Sequence, residues 1–295
     1  MRFVTFNTLA KPRLGLVMDN QVVDLAKAAG ESKFPGDMLG LIAAGPAALK
    51  KAARLAANAP RGARKPLAAT HLLAPIPRPA RNVFCLGLNY VEHAKESAAA
   101  QGREFQMPAY PVFFTKVAGA VTGPYADIPF DPATMQKFDW EVELAVVIGR
   151  GGKNIPREQA MEHVFGYMVL NDLSARDLQF NHQQFFKGKS LDNACPMGPW
   201  ILTADEAANP HALAIRCRVN GVVKQDWTTG DMVFDIPAII ESLSAGLTLL
   251  PGDVIATGTP SGVGFARTPP EFLRPGDVVE CEVEGIGTIR NRIVE

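Results

Sequence analysis

From position 82 to the C-terminus the chain is a succession of short apolar runs cut at close intervals by glycine and proline. The runs are NVFCLGL (82–88), PVFFTKV (111–117), VELAVVIG (142–149), VFGYMVLND (164–172), PWILT (199–203), AIRCRVNG (214–221), DVIATGT (253–259) and DVVECEVEG (277–285). They are rich in β-branched and aromatic residues and too short for helices, so they read as strands that must pair into sheets. Helical patterning is confined to Tyr90–Ala100, Arg157–His163 and Pro237–Ser244. The expectation is a β-rich α+β fold without regular βαβ alternation. Two of the strands follow similar Pro-Gly turns, LLPGDVIATG (249–258) and LRPGDVVECE (273–282), an echo that shared turn chemistry explains without duplication.

The first part of the chain has a different texture. MRFVTF, RLGLVM and QVVDLA read as strands, and the Ala/Leu-rich stretch from Met38 to Ala57 reads as a helix interrupted at Gly45-Pro46. Pro75, Pro77 and Pro79 then forbid regular helix and stiffen the connection. The expected organisation is a small N-terminal α+β domain over 1–74 and a catalytic domain over 75–295.

Lysine plus arginine and aspartate plus glutamate number 30 each, so the formal net charge is zero and neither nucleic acid nor a membrane surface is an expected partner. No apolar run is long enough to span a bilayer and the N-terminus carries no cleavage signature, which points to a cytoplasmic protein. Cys85, Cys195, Cys217 and Cys281 sit singly in apolar surroundings and read as reduced, buried thiols.

Within FDWEVELAVVIG (138–149), alternation puts Phe138, Trp140, Val142, Leu144, Val146 and Ile148 on one face and Asp139, Glu141, Glu143, Ala145 and Val147 on the other. Two carboxylates therefore point the same way from a strand that looks buried on both sides. An E-x-E pair is usually a solvated edge, but the apolar company argues against that here. Held together and desolvated, the pair would raise each other's pKa unless a cation lay between them. An all-oxygen ligand set suits a hard ion such as Mg²⁺, Mn²⁺ or Ca²⁺. Asp172, ending the apolar run Val164–Leu170, is the leading third ligand, although an aspartate there can equally be a turn or helix cap.

Other motifs carry chemistry less specifically. His93 and Glu96 are three apart on the predicted helix, a spacing that lets a carboxylate orient a general base and that also occurs on ordinary surface helices. Lys187 and Lys189 precede a Pro/Gly-rich turn; surface lysines are the default, a single lysine near a metal-bound carbonyl or enolate could neutralise developing charge, and spacing alone does not choose between the two readings. ATGTPSGVG (256–264) exposes backbone N–H groups able to hold a carboxylate or oxyanion, and it is neither a Walker loop nor a dinucleotide fingerprint. SAAAQGREFQMPAY (97–110) reads as a mobile lid.

GLNYVEHAKE, DWEVELAVVIG, NDLSARDLQ, KGKSLDNACPMGPW and PGDVIATGTPSGVG, in this order, resemble the fumarylacetoacetate hydrolase superfamily, specifically its bacterial acylpyruvase and hydroxydienedioate isomerase/decarboxylase branch. The resemblance runs from about Arg81 to the C-terminus. It implies a mixed β-sandwich roll, usually a homodimer, preceded by a small accessory domain. It implies that Glu141, Glu143 and Asp172 hold Mg²⁺ or Mn²⁺ and that His93 and Glu96 activate water. It further implies that Lys189 binds substrate and that Gln179 and the Gly258-Thr259 turn line its pocket. The activity so expected is hydrolysis of an acylpyruvate to pyruvate and a carboxylic acid. Isomerisation of a hydroxydienedioate and decarboxylation of the oxaloacetate type are alternatives through the same enolate. Two rivals from other classes are a non-catalytic binder of 2-oxo acids and a metal-dependent phosphohydrolase, the latter disfavoured by the scarcity of arginine in the motifs.

Overall fold

The computed structural model describes residues 1–30, 34–207 and 209–295. Its largest sheet has twelve strands and is mixed. Along its main path the strands run Arg64–Pro66, Gln21–Asp24, Arg13–Met18, Arg2–Phe6, Cys195–Thr203, Val164–Asn171, Val142–Ile148, Val254–Ala256, Val83–Gly87 and Val112–Lys116. Most neighbours are antiparallel, but Val254–Ala256 lies parallel to Val83–Gly87. A second sheet stacks Val222–Thr228, Ala214–Val219, Val278–Val283, Gly287–Val294 and Ile128–Pro129.

The strand Val142–Ile148 is buried at every position, and its alternation sorts it between two cores. Val142, Leu144, Val146 and Ile148 join a cluster with Ile215, Cys217, Val279, Cys281 and Ile289 of the smaller sheet. Ala145 and Val147 join a second cluster with Met38, Leu41, Ile42 and Ala52 of the N-terminal helix. The large sheet is thus sandwiched, which is why its central strand carries so few polar residues. The N-terminal strands are continuous with it through the pairing of Arg2 with Leu202 and Phe3 with Ile201.

The helix Met38–Ala57 breaks where the sequence places the break. Gly45 takes φ 67° and ψ −160° just before Pro46, and Asp37 caps the N-terminus by accepting from the Gly40 amide at 2.8 Å. Residues Arg157–His163 form a 3-10 helix, tighter than the α-helix the pattern suggested. Two strands carry no clear sequence signal. Val222–Thr228 is mostly exposed or half-exposed, and Gly287–Val294 is interleaved with charge. Among the described residues no helix is long and apolar enough to cross a membrane.

Candidate active site

Strand register assembles the carboxylates. Val142 pairs with Asn171 and Glu143 with Leu170 in the antiparallel ladder, so the start of one strand lies against the end of the next. Just beyond the ladder the Asp172 amide donates to the Glu141 carbonyl at 2.9 Å, and the Glu141 amide donates to Asn171 Oδ1 at 3.0 Å. Glu141, Glu143 and Asp172 each offer an oxygen within 4.8 Å of the others, and all three are buried.

Three cations face this cluster. Lys189 Nζ donates to Glu141 Oε2 and Asp172 Oδ2, both at 2.8 Å. Lys116 Nζ donates to Asp172 Oδ1 at 2.5 Å and to the Leu173 carbonyl at 3.0 Å. Arg176 donates from Nε to Asp139 Oδ2 at 2.8 Å and from Nη1 to Gln179 Oε1 at 3.0 Å. Its Nη2 lies 2.7 Å from Glu141 Oε1, an ion pair without hydrogen-bond alignment.

The charges are unevenly shared. Burial alone would raise the Glu141 pKa, but Lys189, Arg176 and His93 outweigh it and hold the carboxyl at about 2. Glu143 goes the other way. Burial and the Asp172 and Glu141 carboxylates push its pKa well above the usual range, against the weaker pull of Lys189 and the Gly258 amide. Its Oε2 accepts from that amide at 2.8 Å, while its Oε1 is buried with no hydrogen-bond partner among the described residues. An orphaned carboxylate oxygen inside a trio of oxygen donors fits a hard divalent cation.

Beside the cluster stands the helix Val91–Ala100. His93, buried, lies with Nδ1 2.9 Å from Glu96 Oε1. A proton on Nδ1 shared with the carboxylate leaves Nε2 as the reactive nitrogen. Glu96 is itself clamped, its two oxygens accepting from the Gly262 amide at 3.0 and 2.9 Å. Glycine is required there: φ is +105°, and a Cβ would sit 2.1 Å from the Lys224 carbonyl oxygen. The ATGTPSGVG turn does hold carboxylates, but they are the protein's own. Its amides serve Glu143 through Gly258, Glu96 through Gly262 and Asp139 through Gly264. Thr259 Oγ1 donates to the Val142 carbonyl at 2.9 Å and accepts from Gln225 Nε2 at 2.8 Å, fixing the turn to the strand start.

All of this opens into a cavity of about 1030 Å³. Glu141, His93, Lys189, Arg176, Gln179 and Thr259 line its floor; Phe114, Phe180, Phe185, Phe265 and Phe272 form apolar walls. Ser97, Ala100, Gln101 and Arg103, from the segment read as a lid, line one side. Of the side chains singled out from the sequence, His93, Glu141, Gln179, Lys189 and Thr259 line this cavity, while Glu96 bonds to His93, Asp172 to Lys189, and Glu143 groups with Glu141 and Asp172. Gly258 contributes its amide to Glu143, and Lys187 stays exposed while Lys189 is buried. Sequence reasoning missed Lys116, which looks like an ordinary strand-end lysine until Asp172 is placed beside it. It also missed Asp139 as the anchor of Arg176, and Gln225, which lies on a strand that left no pattern. A charge interrupting the largely apolar run PVFFTKV (111–117) was the available signal for Lys116.

Comparison with known proteins bears on the same residues. Residues 82–294 match the family model described as Fumarylacetoacetate (FAA) hydrolase C-terminal. The chain is 42% identical over 308 residues to Oxaloacetate tautomerase YisK of Bacillus subtilis (strain 168), covering 99% of this chain and 100% of that protein. It is 44% identical over 299 residues to the mitochondrial Oxaloacetate tautomerase FAHD2A of Homo sapiens, covering 100% of this chain and 92% of that one. Among solved structures, a putative HpcE protein from Mycobacterium smegmatis superposes with a TM-score of 0.87 at 40% identity, over 100% of this chain and 99% of that one.

Proposed function

The chain belongs to the fumarylacetoacetate hydrolase family, and we propose that within it the protein is a divalent-metal-dependent isomerase interconverting the enol and keto forms of a 2-oxo dicarboxylic acid of the oxaloacetate type. The observation that carries this reading is the arrangement of one clamped histidine, His93, over the buried Glu141–Glu143–Asp172 trio. The full-length similarity to two oxaloacetate tautomerases favours it over the acylpyruvate hydrolysis that the motifs first suggested.

The net reaction moves one proton between C3 and the 2-oxygen; no water is added and no carbon–carbon bond breaks. A Mg²⁺ or Mn²⁺ ion held by Glu141, Glu143 and Asp172 would supply the Lewis acidity that makes an enolate tolerable near neutral pH. The remaining work falls to side chains. From the keto form, His93 Nε2 takes the C3 proton, and Glu96 stabilises the imidazolium that forms. Lys189 delivers a proton to the 2-oxygen, the imidazolium proton returns to Lys189 through solvent so that both groups are restored, and the same steps run backwards for ketonisation. Arg176, fixed by Asp139 and Gln179, places a cation beside Glu141 on the floor of the cavity. The phenylalanine walls limit water around the reacting carbon.

One observation favours a second reading. A cavity of about 1030 Å³ walled by five phenylalanines is larger than a four-carbon diacid fills. A longer acyl arm would use that space, and the same His93–Glu96 pair could direct water at a distal carbonyl of an acylpyruvate. A substrate panel separates the two. Chelator-stripped protein, with Mg²⁺ or Mn²⁺ restored, is mixed with enol-oxaloacetate, acetylpyruvate, fumarylpyruvate and a hydroxydienedioate. Metal-dependent loss of oxaloacetate enol absorbance without pyruvate is the expected result. Pyruvate from an acylpyruvate, with the oxaloacetate enol decaying at its spontaneous rate, would establish hydrolysis instead.

A further inference from the structure

The cavity's rim holds two cations that the protein leaves unbalanced. Arg103 follows the helix Val91–Ala100, its amide closing the helix end on the Ala98 carbonyl at 2.9 Å. Lys137 precedes Phe138, and its carbonyl accepts from the Arg176 amide at 2.9 Å, which ties it to the cavity floor. Both side chains line the cavity, and both are exposed. Neither has a side-chain partner among the described residues, in contrast to Arg176 and Lys189, which are saturated by Asp139, Glu141 and Asp172. Nearby Asp177 is committed to the Gln136 and Leu178 amides and does not line the cavity.

Charge balance gives these two residues a role. On the floor, the carboxylates of Glu96, Asp139, Glu141, Glu143 and Asp172 face the cations Lys116, Arg176 and Lys189. A divalent ion in the trio makes that set neutral. The charge left over is that of Arg103 and Lys137, and Glu141 is the only acid among the described residues lining the cavity. A bound dianion neutralises the whole; a monoanion leaves a positive charge. We propose that Arg103 and Lys137 form the subsite for the substrate's second carboxylate and so select dianionic 2-oxo acids over monoanionic ones. This rests on the reading of the cavity as a 2-oxo acid site.

The test is binding, not turnover. Two stable five-carbon probes, 2-oxoglutarate and 2-oxopentanoate, differ only in the terminal carboxylate. Their Kd values are measured by calorimetry on Mn²⁺-loaded protein, for the wild type, Arg103→Met, Lys137→Met and the double variant. Wild-type protein is expected to bind 2-oxoglutarate about tenfold more tightly or better, as suits charge-assisted contacts. Each single variant loses most of that preference and the double variant all of it, with 2-oxopentanoate affinity unchanged, while Lys137→Arg keeps the preference. A preference that survives in the double variant, or equal weakening of both probes, overturns the subsite assignment and leaves the 2-oxo acid reading intact. Failure of the Mn²⁺-loaded wild type to bind either probe overturns that reading and the subsite with it.

Discussion

At Glu143, burial and two neighbouring carboxylates act in the same direction, and one oxygen has no donor. Between the ordinary glutamate range and this group's raised pKa, the metal-free protein keeps Glu143 protonated, while a bound cation needs it ionised. Metal binding in that window therefore releases a proton, and affinity rises with pH. Calorimetric titration of Mn²⁺ in two buffers of different ionisation enthalpy should show this release directly. Glu143→Gln should suppress the release and weaken Mn²⁺ binding by about tenfold or more. Heats that are independent of the buffer would show that Glu143 does not lose a proton to the ion. At this scale the sequence was informative where two like charges shared one strand face and where an apolar run ended in an acid: Glu141, Glu143 and Asp172 stand out for that reason. Lys116 and Gln225 did not, because their partners lie 56 and 83 residues away along the chain, at Asp172 and Val142.

At the scale of elements, the His93 helix and the 256–264 turn act as one device, joined by the Gly262 amide on Glu96. Gly262→Ala puts a methyl group against the Lys224 carbonyl at a positive φ, so the turn must shift and Glu96 loses its clamp. The expected outcome is a fall in kcat of about tenfold or more with Mn²⁺ affinity retained, since the metal trio hangs from other strands. Unchanged kcat would mean that the clamp does not position the dyad. Period-two alternation correctly separated the two faces of Val142–Ile148 because both faces are packed. The strand Val222–Thr228 escaped notice because it lies at a sheet edge and faces solvent along most of its length, so burial imposes no pattern on it.

For the whole molecule, the sandwich places all four cysteines in its cores. Burial, with nearby carboxylates contributing in part, raises the thiol pKa of Cys85 and of Cys217 well above normal, and that of Cys195 to about 12. These thiols should not react with an aromatic disulfide reagent at pH 8 in the folded protein and should react together on unfolding in denaturant; rapid labelling of the native protein would contradict the packing described. The order of the motifs was legible along the chain, but not the sheet that joins the N-terminal strands to Cys195–Thr203, because that pairing brings Arg2 against Leu202, far away along the chain.

In the proposed isomerase His93 moves the C3 proton above the Glu141–Glu143–Asp172 trio. Stopped-flow loss of oxaloacetate enol absorbance, compared for Mn²⁺-loaded wild type and His93→Ala with Mn²⁺ affinity measured on the same samples, tests it most directly. The rate should fall by about 10²-fold or more with metal affinity nearly unchanged. A metal-loaded His93→Ala protein that ketonises oxaloacetate at the wild-type rate would contradict it.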